Sequence, residues 1–167
     1  MTGFEPLQAF IAAPDLRDAI ESLRREHVVA LRQAPFGVRR AVVRTGFELA
    51  AGGTVWRSLW LLTHRPLRRG GVRRHPASAV VRLAWRGQGL VLLRGPQERR
   101  SVELAPAGAL PETAAWYVHL PPGTHFDTLA DETPWQILAF HSEAATNLMR
   151  EDETQEGWTP KPEEADS

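Results

Sequence analysis

The sequence contains no cysteine, which excludes disulfides, thiolate metal sites and cysteine nucleophiles. Lysine is nearly absent as well, since arginine outnumbers it 19 to 1. No segment approaches the roughly 20 consecutive apolar residues of a membrane-spanning helix, and the N-terminus lacks the basic region and apolar run of a signal peptide. These absences predict a cytoplasmic protein without membrane contact, in which only His, Asp or Glu side chains are left to hold a metal ion.

The formal net charge is zero, but the charges are unevenly distributed along the chain. Residues 32–100 carry 15 basic and 2 acidic side chains, whereas residues 101–167 carry 2 basic and 13 acidic ones. A basic segment of this kind can bind an anion, or it can pair with the acidic segment inside one fold or across a dimer. We expect internal neutralisation, because folding brings the segments together. Nucleic acid is not an expected partner, since the arginine clusters lack an aromatic-basic recognition motif.

The chain of 167 residues has the length of a single domain. An amphipathic helix is predicted from Pro14, because Leu16, Ile20 and Leu23 recur at helical spacing. From residue 28 onwards, short runs rich in Val, Leu and Trp alternate with Gly and Pro turns, which is typical of an all-β sandwich or barrel. The acidic end of the chain is poor in apolar residues, and we expect a short helical or disordered tail there. The predicted parts are a helical segment (1–30), a β-barrel (31–145) and an acidic disordered tail (146–167).

The stretch 116–141 contains an apolar strand, the turn Pro121-Pro122-Gly123, a histidine, a second turn and another apolar strand. Together with the strand order, this stretch resembles the second motif of the cupin superfamily, and the resemblance covers roughly residues 55–143. It implies a cupin-like double-stranded β-helix, a jelly-roll barrel of two facing antiparallel sheets. It also implies a homodimer, because cupins often pair through their strands.

The two family motifs can be laid on this sequence position by position. In the second motif, the opening glycine falls on Ala115 and the histidine falls on Phe126, with His125 one residue early. A slip of one residue in a strand turns a side chain to the other face of the sheet. In the first motif, the two histidines fall on Arg73 and His75, and the glutamate falls on Val80.

The family's ligand set of about three His and one Glu binds a divalent iron, manganese, nickel or zinc ion. In this chain Val80 cannot ligate a metal, and the positive charge of Arg73 would repel a cation at short range. The resemblance therefore implies that the usual metal site is lost and that no metal cofactor is bound. The alternative is a non-standard set drawn from His64, His75, His125 and His141.

A small barrel of this type encloses a pocket lined by inward side chains. If Arg73 points inward at a former metal-ligand position, it would attract an anionic molecule. In the run AVVRLAW, Arg82 lies with Arg86 on the less apolar face, which predicts that both point outward. The candidate aromatic walls of the pocket are Trp60, Trp85, Trp116 and Phe126.

Two functions remain open at this point. The first is a protein that binds a small anionic or aromatic molecule inside the barrel without catalysis. The second is a metal-dependent enzyme of the dioxygenase or isomerase type, with the non-standard histidine set. The sequence contains no nucleophile elbow, no phosphate-cradling glycine loop and no paired metalloprotease histidines, so other common types of catalysis find no support.

Overall fold

The computed structural model describes residues 2–33, 37–95 and 99–165. Two helices come first, α1 (Glu5–Ala12) and α2 (Pro14–Gln33). The strands are β1 (Val38–Arg44), β2 (Leu49–Ala51), β3 (Thr54–Trp56), β4 (Ser58–His64), β5 (Arg73–Arg74), β6 (Val80–Arg86), β7 (Gly89–Arg94), β8 (Arg99–Leu104), β9 (Tyr117–Leu120), β10 (His125–Ala130), β11 (Trp135–His141), β12 (Met149–Thr154) and β13 (Gly157–Pro162).

The strands form two main antiparallel sheets. The first has the order β1-β4-β11-β6-β9 and the second has the order β13-β12-β5-β10-β7-β8, while β2 and β3 form a separate hairpin. Strands that follow one another in the chain, such as β4, β5 and β6, alternate between the two sheets. This is a cupin-like jelly-roll, and the predicted fold class is confirmed.

The five-stranded sheet is covered on both faces, which explains why β4 and β11 are buried along their whole length. On one face, Leu59 and Leu61 pack with Leu7 and Ile20 of the two helices. On the other face, Trp60 and other side chains pack toward the second sheet. We call these the helix side and the barrel interior. Alternation along a strand therefore separates two buried faces here, and not a buried face from a solvated one.

Helix α2 begins at Pro14, where the fixed φ of proline suits the first turn. It is longer than predicted, because residues 28–33 continue the helix and do not begin a strand. The buried residues Leu16, Ile20 and His27 keep one helical face on the sheet. His27 Nδ1 lies 2.7 Å from Thr63 Oγ1 of β4, and this contact fixes the C-terminal half of α2 to the sheet. Helical packing thus outweighs the strand preference of Val28 and Val29.

The C-terminal segment is not the disordered tail that its composition predicted. Strands β12 and β13 form a hairpin, and β12 pairs with β5 so that Glu151 lies opposite Arg74 and Asp152 lies opposite Arg73. The acidic side chains that suggested a solvated tail thus neutralise arginines across the sheet, as the 3.2 Å ion pair between Arg74 Nε and Glu151 Oε1 shows. Residues 166 and 167 lie outside the described residues.

Candidate functional site

Arg73 points into the barrel interior from β5 and is only 2% exposed. Its Nη1 donates a hydrogen bond to the Gly71 carbonyl at 3.2 Å, and its Nη2 donates to Thr128 Oγ1 at 3.3 Å. A Cβ atom at Gly70 would lie 2.5 Å from Arg73 Nη1, so the guanidinium packs closely against this turn. Both acceptors are neutral, and the charge of Arg73 is therefore not balanced by its hydrogen bonds.

Arg82 also points into the interior, from the middle of β6, and is 1% exposed. The prediction that it faces outward was wrong. The apolar face of β6, with Val81 and Leu83, packs on the helix side, so the mixed face that carries Arg82 is the one that lines the barrel. Arg86, at the end of the strand, is exposed as predicted, with 60% of its side chain accessible.

The guanidinium of Arg82 has few polar contacts. Within residues 2–33, 37–95 and 99–165, neither Nε nor Nη1 of Arg82 has a hydrogen-bond partner. Burial lowers the pKa of Arg82 well below its usual range, and the nearby Arg73 lowers it further. Because arginine keeps its proton in proteins, this side chain is a buried positive charge.

Phe126 lies between the two arginines and the histidines. The guanidinium carbon of Arg73 lies 4.9 Å from the centroid of its ring, and that of Arg82 lies 4.7 Å from it. His75 stacks on the same ring with a centroid distance of 6.1 Å. The position that holds a histidine in the cupin motif therefore presents an aromatic face to cations. Such cation–π contacts stabilise a buried arginine, but they accept no N–H hydrogen bond from Nε or Nη1.

Three histidines face the interior, namely His64, His75 and His141. Burial lowers the pKa of His75 to about 4, and burial also lowers the pKa values of His64 and His141 well below their usual range. All three are therefore neutral at pH 7. His75 Nδ1 lies 3.1 Å from the Met149 carbonyl, and its ring centroid lies 4.7 Å from that of His141.

His125 does not face the interior with His64, His75 and His141. Along β10 the side chains alternate, so that Phe126 and Thr128 face the interior while His125 faces the outside of the sheet. There His125 Nε2 lies 3.1 Å from Arg74 Nη1, and its ring packs on Trp158 with a centroid distance of 4.7 Å. The turn before β10 does not absorb the offset of one residue, and the proposed ligand set loses one of its four members.

The residues present do not fit the metal centre that the cupin motifs imply. Among the described residues, no group of three or more His, Asp or Glu side chains is arranged to hold a metal ion. Val80, at the glutamate position, belongs to the apolar packing of the interior. The guanidinium of Arg73 replaces a ligand, and that of Arg82 faces the same aromatic ring.

The four aromatic candidates divide between the barrel interior and the helix side. Trp60 and Phe126 lie in the barrel interior. Trp85 and Trp116 pack on the helix side instead and border a groove of about 570 Å³ beside the helices. Trp85 Nε1 donates a hydrogen bond to Glu21 Oε1 at 2.9 Å. These two tryptophans are thus corrected from walls of the barrel pocket to residues that anchor the helices.

Three charged residues of the site were missed by the sequence analysis. Arg40 of β1, Arg150 of β12 and Glu163 after β13 meet at one end of the interior, where Arg40 Nε lies 2.7 Å from Glu163 Oε1 and Arg150 Nη1 lies 3.4 Å from it. Arg150 Nε also pairs with Asp152 Oδ1 at 2.8 Å. Burial by itself would raise the pKa of Glu163, but Arg40 and Arg150 outweigh burial and lower it. Glu163 belongs to the segment predicted to be disordered, which hid this cluster.

No protein-family model matches the chain, and no curated protein sequence matches it. Solved structures show partial likenesses to this chain. An oxalate oxidase in complex with the substrate analogue glycolate is 14% identical, with a TM-score of 0.48, over 66% of this chain and 53% of that chain. Vicilin from Corylus avellana (hazelnut) is 13% identical, with a TM-score of 0.42, over 51% of this chain and 22% of that chain.

Procruciferin, an 11S globulin from Brassica napus, is 12% identical, with a TM-score of 0.47, over 57% of this chain and 22% of that chain. The match thus spans about half the length of the oxalate oxidase and 22% of the lengths of vicilin and procruciferin. No functional statement follows from likenesses of this size.

In the part of the chain that the structure describes, no helix is long and apolar enough to cross a membrane.

Proposed function

We propose that this protein binds a small anion inside its barrel, held by the guanidinium groups of Arg82 and Arg73, without catalysis and without the usual cupin metal site. The single observation that carries the proposal is the burial of Arg82 with Nε and Nη1 unpartnered by any described residue. A buried charge without a partner costs several kcal/mol, roughly. A ligand anion would repay this cost, because charge-assisted hydrogen bonds to guanidinium are strong.

The surroundings of Arg82 support an anion more than any other ligand. Burial lowers the pKa of Arg73 to about 10, with a further contribution from the charge of Arg40, so positive charges already crowd one another here. The neutral histidines neither add to this charge nor offset it. The rings of Trp60 and Phe126 offer an apolar surface to the carbon skeleton of a ligand.

A titration of the purified protein with small anions tests the proposal. Thermal shift assays and calorimetry with formate, acetate, malonate and phosphate at constant ionic strength should show saturable stabilisation by at least one of them. Arg82→Met should strongly weaken the effect and leave residual binding through Arg73. Arg99→Met is the matched control, because Arg99 is exposed on β8, and it should leave the effect unchanged. Equal loss in both variants would contradict an interior site.

The alternative is a metal-dependent enzyme, and it would rest on His75 and His141, whose rings are 4.7 Å apart in the interior. Arg82 lowers the pKa values of both histidines, and the same charge would oppose a divalent cation. Elemental analysis of untagged protein separates the two functions. Stoichiometric iron, manganese, nickel or zinc that disappears in His75→Ala would favour the enzyme.

The homodimer and the cytoplasmic location remain predictions. Light scattering on the purified protein tests whether it is a homodimer.

A further inference from the structure

Resting on the proposed function, we infer that the bound anion carries two negative charges, as a small dicarboxylate or a phosphate dianion does. The inference comes from the balance of charges in the interior. A buried site is stable when its positive charges are matched by negative ones at short range. The number of guanidinium groups that lack a carboxylate therefore indicates the charge that the ligand brings.

Four arginines belong to the interior cluster, and two of them are balanced by the protein itself. Arg40 pairs with Glu163 at 2.7 Å. Arg150 pairs with Asp152 at 2.8 Å and also contacts Glu163. Both acids come from the C-terminal hairpin and the residue that follows it. This end of the cluster needs no further anion.

Arg73 and Arg82 are not balanced in this way. Asp127 is the acid on the strand next to Arg73, but it lies on the outer side of β10, where it accepts a hydrogen bond from the Gly71 amide at 2.9 Å and pairs with Arg69 at 3.7 Å. Over the three described ranges, neither Arg73 nor Arg82 has a carboxylate within 4.0 Å. Two positive charges thus remain, and both face the ring of Phe126.

The free donors of the interior also suit a ligand with more oxygen atoms than a single carboxylate. Besides the two nitrogens of Arg82, Nε1 of Trp135 and Nε2 of His64 are buried without a hydrogen-bond partner in the described part of the chain. Trp135 lies opposite His64 in register, and the two rings are 5.5 Å apart. His64 Nδ1 lies 3.5 Å from Thr128 Oγ1, which also accepts a hydrogen bond from Arg73. The buried nitrogen atoms without a partner thus outnumber the two oxygen atoms of a single carboxylate.

The ligand has to be small. The ends of the Arg73 and Thr128 side chains pack closely against the turn at Gly70, where an added Cβ atom would lie 2.5 Å from Arg73 Nη1. Trp60, Phe126 and Trp135 fill the interior and are each at most 2% exposed. An anion with a long or branched skeleton would displace these rings, whereas one of a few heavy atoms need not.

Calorimetric titration with matched pairs of anions tests the inference. Acetate and formate serve as monoanions, whereas malonate, succinate and inorganic phosphate at pH 8 serve as dianions, all at the same ionic strength. We expect the best dianion to bind about tenfold or more tightly than acetate, a factor that corresponds to one modest ion pair. Malonate and succinate against phosphate then separate the dicarboxylate from the phosphate.

The charge variants complete the test. Arg82→Met leaves one unbalanced guanidinium, so the preference for dianions over acetate should shrink to within about threefold. Arg82→Lys retains the charge and should keep the preference, which covers the case in which Arg82→Met does not fold. If acetate and malonate bind equally well and both are lost in Arg82→Met, the inference of two charges is overturned and anion binding stands. If none of the five anions binds, the proposed function itself is overturned.

Discussion

Glu163 Oε1 and Arg40 Nε form a 2.7 Å ion pair, and 5% of the glutamate side chain and 13% of the arginine side chain are exposed. The pair joins the segment after the last strand to the first strand of the other sheet. Since Arg150 contacts the same carboxylate, one glutamate holds two guanidinium groups inside the fold. The C-terminal segment therefore supplies a negative charge that neutralises arginines inside the fold.

Replacing Glu163 with Gln should lower the free energy of unfolding by about 3 kcal/mol, because removal of one partner leaves the other charge buried and unmatched. The loss is measured by urea denaturation at pH 7.5. Glu164→Gln is the matched control, since Glu164 is the exposed neighbour and should change stability by less than about 0.5 kcal/mol. A loss of equal size in both variants would show that Glu163 is not a structural counter-ion.

Arg82→Met should have the opposite effect on stability when no ligand anion is added. The buried guanidinium is replaced by an apolar side chain of similar length, which removes an unmatched charge, and we expect a gain of about 1–4 kcal/mol in the free energy of unfolding. The measurement is denaturation in a buffer without carboxylate or phosphate. A loss of several kcal/mol would instead mean that Arg82 is held by interactions of the protein alone, and that it serves the fold and not a ligand.

Stability should fall on mild acidification because of the interior histidines. The pKa of His75 is about 4 in the folded protein, against an ordinary value of 6.5. The unfolded chain therefore binds the extra proton between these values, and the free energy of unfolding decreases as the pH falls from about 6.5 toward 4. For His75 alone the expected loss at pH 5 is about 2 kcal/mol, and His64 and His141 add to it with the same sign.

Two comparisons make the histidine prediction specific. Glu163 also has a lowered pKa, but its contribution is lost only as the pH falls below its ordinary value of 4.5, so denaturation curves at pH 7.5 and pH 5 separate the two effects. His75→Gln should reduce the difference between these two conditions by about 2 kcal/mol. A pH dependence unchanged by this substitution would show that His75 is already protonated or solvated in the folded state.

Gly89→Ala should destabilise the barrel by about 1–3 kcal/mol through overpacking. A Cβ atom at Gly89 would lie 2.5 Å from the Trp135 ring and 2.6 Å from the Leu129 carbonyl. Gly37→Ala is the control, because nothing lies within 4 Å of its added Cβ. Thermal unfolding of the two variants checks the prediction, and equal melting temperatures would contradict the close packing of Trp135 against β7.

The fold was predictable because turns and strand spacing are local features. The short apolar runs and the turns between them indicate a β-sandwich or barrel without any knowledge of which strands pair, and the resemblance of the Pro-Pro-Gly stretch to the second cupin motif implies the jelly-roll. The place of Arg73 was predictable for a similar reason, since motif spacing aligns it with an inward position. His75, two residues later, follows from the same alternation.

The prediction that Arg82 faces outward failed because the pattern of a single strand does not show what packs on each of its faces. Periodicity shows that Val81 and Leu83 share a face, but it does not show that two helices cover this face and leave the other for the interior. The position of Trp85 was misjudged for the same reason. Glu163 could not be found because its acidic neighbours look like a solvated tail until the arginines of β5 are placed opposite them.

Strand β5 is only two residues long, yet it joins the C-terminal hairpin to the rest of the six-stranded sheet. Its register with β10 consists of the single pair Arg73 and Phe126, but the turn before it continues the contact through a backbone hydrogen bond from the Gly70 amide to the Thr128 carbonyl at 3.0 Å. The turn that precedes β5 thus supplies part of the pairing that a strand of two residues could not supply alone. The position of Arg73 in the interior depends on this irregular segment as much as on the strand itself.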